Sequence, residues 1–227
     1  MEKLRTVSDT KRDFYSYHNR PINSIYRRVV EELLVEMHLL SVNVDFRPDP
    51  IYYLGIVSSF GSFMQGYQPE EDKESIFSAL CRSVQGDPQH YRDQAQKIMT
   101  VTEKIDSGAK LVSWINEPST IEGNESLSES LQSIKNNPKF KYSRLFGIGL
   151  YTLLQKIDSE LVADQTRRNE ILKQLAEALH LPEEKLEKDL DVYDSNLEKM
   201  EQMLTMLKDV MEADRKKREE RSQEKKS

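Results

Sequence analysis

PIYYLGIVSSFGSFMQG, residues Pro50 to Gly66, covers most of the long uncharged stretch Ile51 to Gln68, and the fold turns on whether it crosses a membrane. The about 15 residues between Pro50 and Gly66 make roughly 22 Å of helix, short of a hydrocarbon core of about 30 Å. Ser58, Ser59, Ser62 and Gln65 interrupt the apolar run as well. The segment is therefore expected to be a buried central helix. Asp49-Pro50 supplies a start signal, Gly66 can end the helix in the left-handed conformation, and Gly55 and Gly61 allow close approach of a neighbouring helix.

Working outward, the same punctuation recurs. Asn19-Arg20-Pro21 reads as a helix start. Ile22, Ile25, Tyr26, Val29, Leu33, Met37 and Leu40 then follow at gaps of three and four, leaving Arg27, Arg28, Glu31, Glu32 and Glu36 largely on the opposite face. Pro69 with Glu70, Glu71 and Asp72 opens a helix carrying Ile76, Phe77, Leu80 and Val84 to Gly86. Asp87-Pro88 opens another with Tyr91, Ala95, Ile98, Thr102 and Ile105, closed by Gly108. Residues 116–138 are dominated by Ser, Asn and Glu with isolated Ile121, Leu127 and Leu131, which predicts a polar loop holding at most one short helix. Leu145, Phe146, Ile148, Leu150, Tyr151 and Leu154 are apolar nearly all round, so that helix should be buried. Arg168, Leu172, Leu175 and Leu179 trace another, broken at His180-Leu181-Pro182. Short turns between such helices describe an all-α bundle over residues 1–180.

Beyond Pro182, Leu186, Leu190, Tyr193, Leu197, Met200, Leu204, Leu207 and Met211 alternate gaps of four and three without error. This is a heptad seam over residues 183–214, on a helix too long to be covered along its full length by a bundle of this size, so part of this coiled-coil-like helix is expected to project. Its outer apolar residues Met200, Met203, Leu204, Leu207 and Met211 are candidates for partner binding, because methionine repacks easily against varied surfaces. Residues 215–227 hold seven Lys/Arg against three Glu and read as a charged, disordered tail.

Composition agrees with a helical, non-catalytic protein. The 227 residues are 37% hydrophobic and 32% charged, with only 8 Gly and 8 Pro to make the turns of a many-stranded sheet. A single cysteine, Cys81, permits neither an internal disulfide nor a thiolate metal cage. The net charge of -6 argues against nucleic acid as a main partner. No phosphate-cradling glycine loop, nucleophile elbow or zinc-binding His pair is present, and His18, His38, His90 and His180 stand apart in sequence. No catalytic, cofactor or metal residues are expected, and the amino terminus has the pattern of neither a signal nor a transit peptide. Tyr26-Arg27-Arg28 and Tyr142-Ser143-Arg144 carry residue types common at binding hot spots, making Arg27, Arg28 and Arg144 further candidates. The alternative for both clusters is a core tyrosine beside snorkelling arginines.

Three blocks carry a resemblance. TVSDTKRDFYSYHNRPINSIYRRVVEELLVEMHLL (Thr6–Leu40), NVDFRPDPIYYLGIVSSFGSFMQGYQP (Asn43–Pro69) and KFKYSRLFGIGLYTLLQ (Lys139–Gln155) resemble, in order, those of the thylakoid formation protein family, also called the photosystem II biogenesis protein family. With the helical stretches between them the resemblance extends to about Met211, and Gly147 departs from the alanine expected in the third block. It implies an all-helical, non-enzymatic accessory factor of the cyanobacterial type, peripheral on the cytoplasmic side of the thylakoid membrane. The implied partners are FtsH protease subunits that clear damaged photosystem II subunits during repair. A second function class stands beside this one, a structural coiled-coil protein that organises thylakoid membranes by self-association.

Overall fold

The computed structural model describes residues 4–118 and 125–224. Eleven helices are found among them and no strand: α1 (Val7–Tyr17), α2 (Ser24–Ser41), α3 (Pro50–Phe63), α4 (Glu71–Ser83), α5 (Pro88–Thr102), α6 (Gly108–Asn116), α7 (Glu125–Lys135), α8 (Arg144–Ile157), α9 (Ser159–Ala163), α10 (Gln165–Leu179) and α11 (Glu183–Glu224). The protein is all-α, with a long carboxy-terminal helix. Two compact units divide at Leu190, so the first turns of α11 belong to the bundle and its remainder forms a unit of its own.

Local chemistry sets most boundaries. Asp49 accepts from the backbone N–H groups of Ile51 and Tyr52 with Pro50 in the first turn, and Asp87 accepts from Gln89 N–H ahead of Pro88, as the Asp-Pro signals predict. Ser107, Ser143, Asp158 and Asp164 cap α6, α8, α9 and α10 in the same way. His180, the C-cap of α10, takes a left-handed φ of 54°, whereas α3 ends at Phe63 with Met64 as its C-cap, so Gly66, at 76°, turns the chain after the helix and does not terminate it as its sequence position suggested.

Several boundaries differ from the sequence reading. α2 begins at Ser24 rather than Pro21, because the Asn23 side chain accepts from Ile25 N–H and caps the helix there. Gly108 opens α6 instead of closing α5, since Ser107 is the capping residue. After α4 the left-handed residue is Gln85, not Gly86. α1 has a capping box, with Thr6 and Asp9 each accepting from the other's backbone N–H, a signal the sequence reading passed over. Residues 215–224, read as a disordered tail, continue α11. Lys, Arg and Glu are good helix formers, and Glu212/Lys216, Arg215/Glu219 and Lys216/Glu220 stand four apart with opposite charge. In the polar segment 116–138, α7 buries Leu127, Leu131 and Ile134, whereas Ile121 lies outside the described residues.

The core is centred on α3 and α8. α3 packs most extensively on α8 and next on α5, while α1 packs on α4 and α10 on α6. Ile51, Tyr52, Leu54 and Ile56 of α3 are buried, as are Leu145, Phe146, Ile148, Leu150, Leu153 and Leu154 of α8. Backbone meets backbone at the crossing. A Cβ on Gly55 would lie 1.7 Å from the Leu145 carbonyl oxygen, and one on Gly149 would lie 2.0 Å from that of Ile51. One turn further along, the Thr152 hydroxyl donates to Ser58 Oγ at 3.0 Å. Gly61, also expected at a close approach, has nothing within 4 Å of an added Cβ.

These facts give opposite expectations for two glycines on one helix. Gly55→Ala should destabilise the fold by about 3 kcal/mol, because the helices must separate or strain. Gly61→Ala should be neutral or stabilising by up to about 1 kcal/mol through helix propensity. Urea unfolding of both variants checks this, and equal losses would show that α3 and α8 do not cross at Gly55.

Candidate functional site

A cleft of about 750 Å³ lies where one face of α2, the start of α8 and the first turns of α11 come together. Val35, Leu39 and Leu40 give it an apolar side, with Leu39 57% exposed. Around it the charges are matched. Arg144 Nη2 and Nε donate to Glu36 Oε2 at 2.6 and 3.1 Å, Arg28 Nε donates to Glu32 at 3.0 Å, and Lys11 Nζ donates to Glu31 at 2.8 Å. Tyr15 also donates its hydroxyl proton to Glu31. Burial pushes the Glu36 carboxyl above its ordinary pKa, and the Arg144 guanidinium opposes that shift. Glu36 is thus a half-buried partner of Arg144 and not part of the solvated back of α2 that its spacing suggested.

Tyr142 stands at the other end of the cleft. Its hydroxyl donates to Asp189 Oδ2 at 3.1 Å, and the Lys185 ammonium lies 5.2 Å from its ring centroid. Burial first, then the Asp189 carboxylate, raises the Tyr142 phenol well above its usual range. Gly147 leaves room for this arrangement, since a Cβ there would lie 2.6 Å from the Tyr142 hydroxyl and 3.0 Å from Leu186 Cδ1. The alanine expected at this position would crowd the phenol out of line with Asp189.

The structure therefore joins Arg28 and Arg144, more than a hundred residues apart, on one cleft, and leaves Arg27 exposed outside it. Tyr142 is half-buried, and Arg144 beside it is paired with Glu36. The remaining candidates lie on α11. Met200 is buried, Leu204 is half-buried, and Met203 and Leu207 are 45% and 42% exposed. The Met211 side chain lies outside the described residues. Along the seam Leu186, Leu190, Tyr193 and Met200 are buried, Leu197 and Leu204 are half-buried, and Leu207 is exposed.

A second cavity, of about 440 Å³, lies among Arg47, Asp49, Glu129, Ser133, Asn137 and Phe140. Sequence reading gave Asp49 a capping role only. Its Oδ1 takes both backbone N–H groups of α3, while Oδ2 is buried without a partner. Burial pushes this carboxyl up to about 7, against the two hydrogen bonds that lower it. Among the described residues no group of three His, Cys, Asp or Glu side chains is placed to hold a metal ion. Cys81 is buried, and burial pushes its thiol up to about 12, which leaves it unreactive.

Residues 6–222 match the family described as Thylakoid formation protein. The chain belongs to that family. Among the relatives of this thylakoid formation protein, Protein Thf1 of Gloeothece citriformis is 55% identical over 220 residues, covering 97% of each chain. Protein Thf1 of Rippkaea orientalis is 57% identical over 225 residues, covering 99% of this chain and 95% of the relative. The solved structure of Psb29 superposes with a TM-score of 0.81 at 43% identity, covering 94% of this chain and 98% of that one. The resemblance read from the three sequence blocks and the all-helical fold it implied are both borne out.

Asp49 gives the site a pH signature. Its pKa is higher folded than unfolded, so its contribution is fully present below about pH 4 and is lost as pH rises through about 7. Asp49→Asn keeps an amide oxygen for the cap and removes the titration. Urea midpoints measured from pH 4 to 8 should therefore fall more steeply for the unsubstituted protein than for Asp49→Asn, and parallel profiles would contradict the buried carboxyl.

Proposed function

We propose that this thylakoid formation protein is a non-enzymatic accessory factor of photosystem II biogenesis and repair. It acts by binding thylakoid FtsH protease subunits and regulating or stabilising their complexes. The observation that carries the reading is the opening of the α11 seam. Leu186, Leu190, Tyr193 and Met200 are buried, Leu197 and Leu204 are half-buried, and Leu207 on the seam with Met203 beside it stands exposed. A seam of this kind is suited to the groove of another helix, and methionine adapts to an irregular one. The matched charges of the Arg28 and Arg144 cleft leave less unspent interaction for a partner, which ranks it behind the seam. Among the described residues no helix is long and apolar enough to cross a membrane, in keeping with a peripheral place on the cytoplasmic side of the thylakoid. Self-association through the same seam is the second reading, and it rests on the same open heptads.

Full-length protein carrying Leu204→Glu and Leu207→Glu should keep its helical circular dichroism and lose at least tenfold in affinity for purified FtsH complexes, since each side chain moves an apolar contact to a buried charge. Unchanged affinity would move the interface to the cleft, where Arg28→Glu and Arg144→Glu become the variants to measure. Failure of the unsubstituted protein to bind FtsH, with a dimer that the same two substitutions abolish, would favour self-association.

A further inference from the structure

α1 is docked with little apolar burial, since of its 11 residues only Thr10 and Phe14 are buried. Lys11 and Tyr15 tie its outer side to Glu31 of α2. Two hydrogen bonds to imidazoles hold its inner side. Thr10 Oγ1 shares one with His38 Nδ1 of α2 at 2.8 Å, and His18, the C-cap of α1, shares the other through Nδ1 with Ser75 Oγ of α4 at 2.9 Å. Both imidazoles are buried, with His18 1% and His38 3% exposed, whereas His90 and His180 are exposed. The two histidines inside the bundle are thus the two that clamp α1 to its neighbours.

We propose that α1 is an acid-released element: protonation of His18 and His38 undocks it from α2 and α4 while α3 and α8 stay packed. A hydroxyl can donate to Nδ1 or accept from it, so Thr10 and Ser75 each serve a neutral ring in either tautomer. The imidazolium carries an N–H on both nitrogens, and Nε2 of His18 is buried with no partner among the described residues. Asp72 of α4 faces His18 and favours its charge, but the Arg20 guanidinium, 2.6 Å from Asp72 Oδ1, opposes it. At His38 Asp9 favours the charge, and Arg5, itself paired with Asp13, opposes it. Burial is the larger effect at both and holds each imidazole below its ordinary pKa. Their contribution to docking is therefore present above about pH 6.5 and is lost as pH falls below it. Phe14 then enters solvent, and the surfaces of α2 and α4 beneath it are uncovered. Asp49, whose contribution runs the other way, takes part in neither contact, and Asp49→Asn retains both histidines, so the difference between that variant and the unsubstituted protein still reports Asp49 alone. The inference goes beyond the protease reading and does not depend on it, since it concerns α1 and not the α11 seam.

The experiment is native-state hydrogen exchange of the full-length protein, with each amide referred to its intrinsic exchange rate at the same pH. From about pH 7.5 to about pH 5.5 the opening constant of the α1 amides should rise by up to about tenfold for each histidine, and so by up to about a hundredfold in all. Amides of α3 and α8 should stay closed through that opening. His18→Asn with His38→Asn keeps a polar atom where each Nδ1 stands and removes the titration, so it should level the profile, and each single substitution should remove its own share. His90→Asn with His180→Asn should leave the profile unchanged. An α1 opening constant that does not rise with acid, one that rises equally in the His18→Asn, His38→Asn variant, or an α1 that opens only together with α3 and α8 overturns the proposal. Imidazole proton resonances of the unsubstituted protein give a check that needs no variant. His18 and His38 should each titrate below about 6.5, and a midpoint at or above that value for either one overturns the proposal as well.

Discussion

The bundle depends on the contact of two backbones. Gly55 of α3 and Gly149 of α8 each lie so close to the carbonyls of the other helix that no Cβ fits between them. Close approach lets Leu54, Ile56, Ile148, Leu150 and Leu153 fill the space on either side at interior density. It also sets where everything else stands. The crossing fixes the start of α8, where Ser143 caps the helix and Arg144 turns to Glu36 on α2. It fixes the start of α3 as well, where Asp49 is carried into the interior by its capping role. The cleft and the buried carboxyl are thus consequences of one helix crossing.

Burial of charge around that crossing is met by backbone donors in one place and by an ion pair between distant residues in another. Asp49 is held by two backbone N–H groups, yet burial outweighs them and the group keeps its proton to near neutrality. Glu36 has the Arg144 guanidinium at 2.6 Å and is still pushed upward by burial. Both carboxylates sit at helix junctions, so proton binding is coupled to how the helices meet. α11 shows the complementary case, in which one continuous heptad pattern carries core residues at Leu186 and Leu190 and exposed ones at Leu207. The pattern is the same, and only the availability of a covering surface differs.

Much of this was legible before any coordinates. The period of 3.6 residues, the Asp-Pro starts and the length of the uncharged stretch sufficed for an all-α fold with a buried α3, because those signals are local. Gly55 was legible as a site of close approach, but nothing in the sequence distinguished it from Gly61, since which face of α3 meets α8 is a tertiary fact. Pairing of Arg144 with Glu36 was equally hidden, for the two lie 108 residues apart. Residues 215–224 misled in the other direction, as charge density there suggested disorder although the opposite charges stand at helix-stabilising spacing. On α11 the seam was read in full. The exposure of Met206 and Val210, off the seam, was not legible from the pattern.

Native-state hydrogen exchange tests the central claim, that the α3–α8 crossing is the last part of the fold to open. Amides of Leu54 to Phe60 and of Ile148 to Leu154 should exchange only through global unfolding, with an opening free energy equal to that from urea denaturation. Those of α11 beyond Met200 should exchange through local fraying at far lower cost. Faster exchange in α3 and α8 than in α1 or α10 would contradict the account, because a bundle organised around Gly55 and Gly149 cannot release them first.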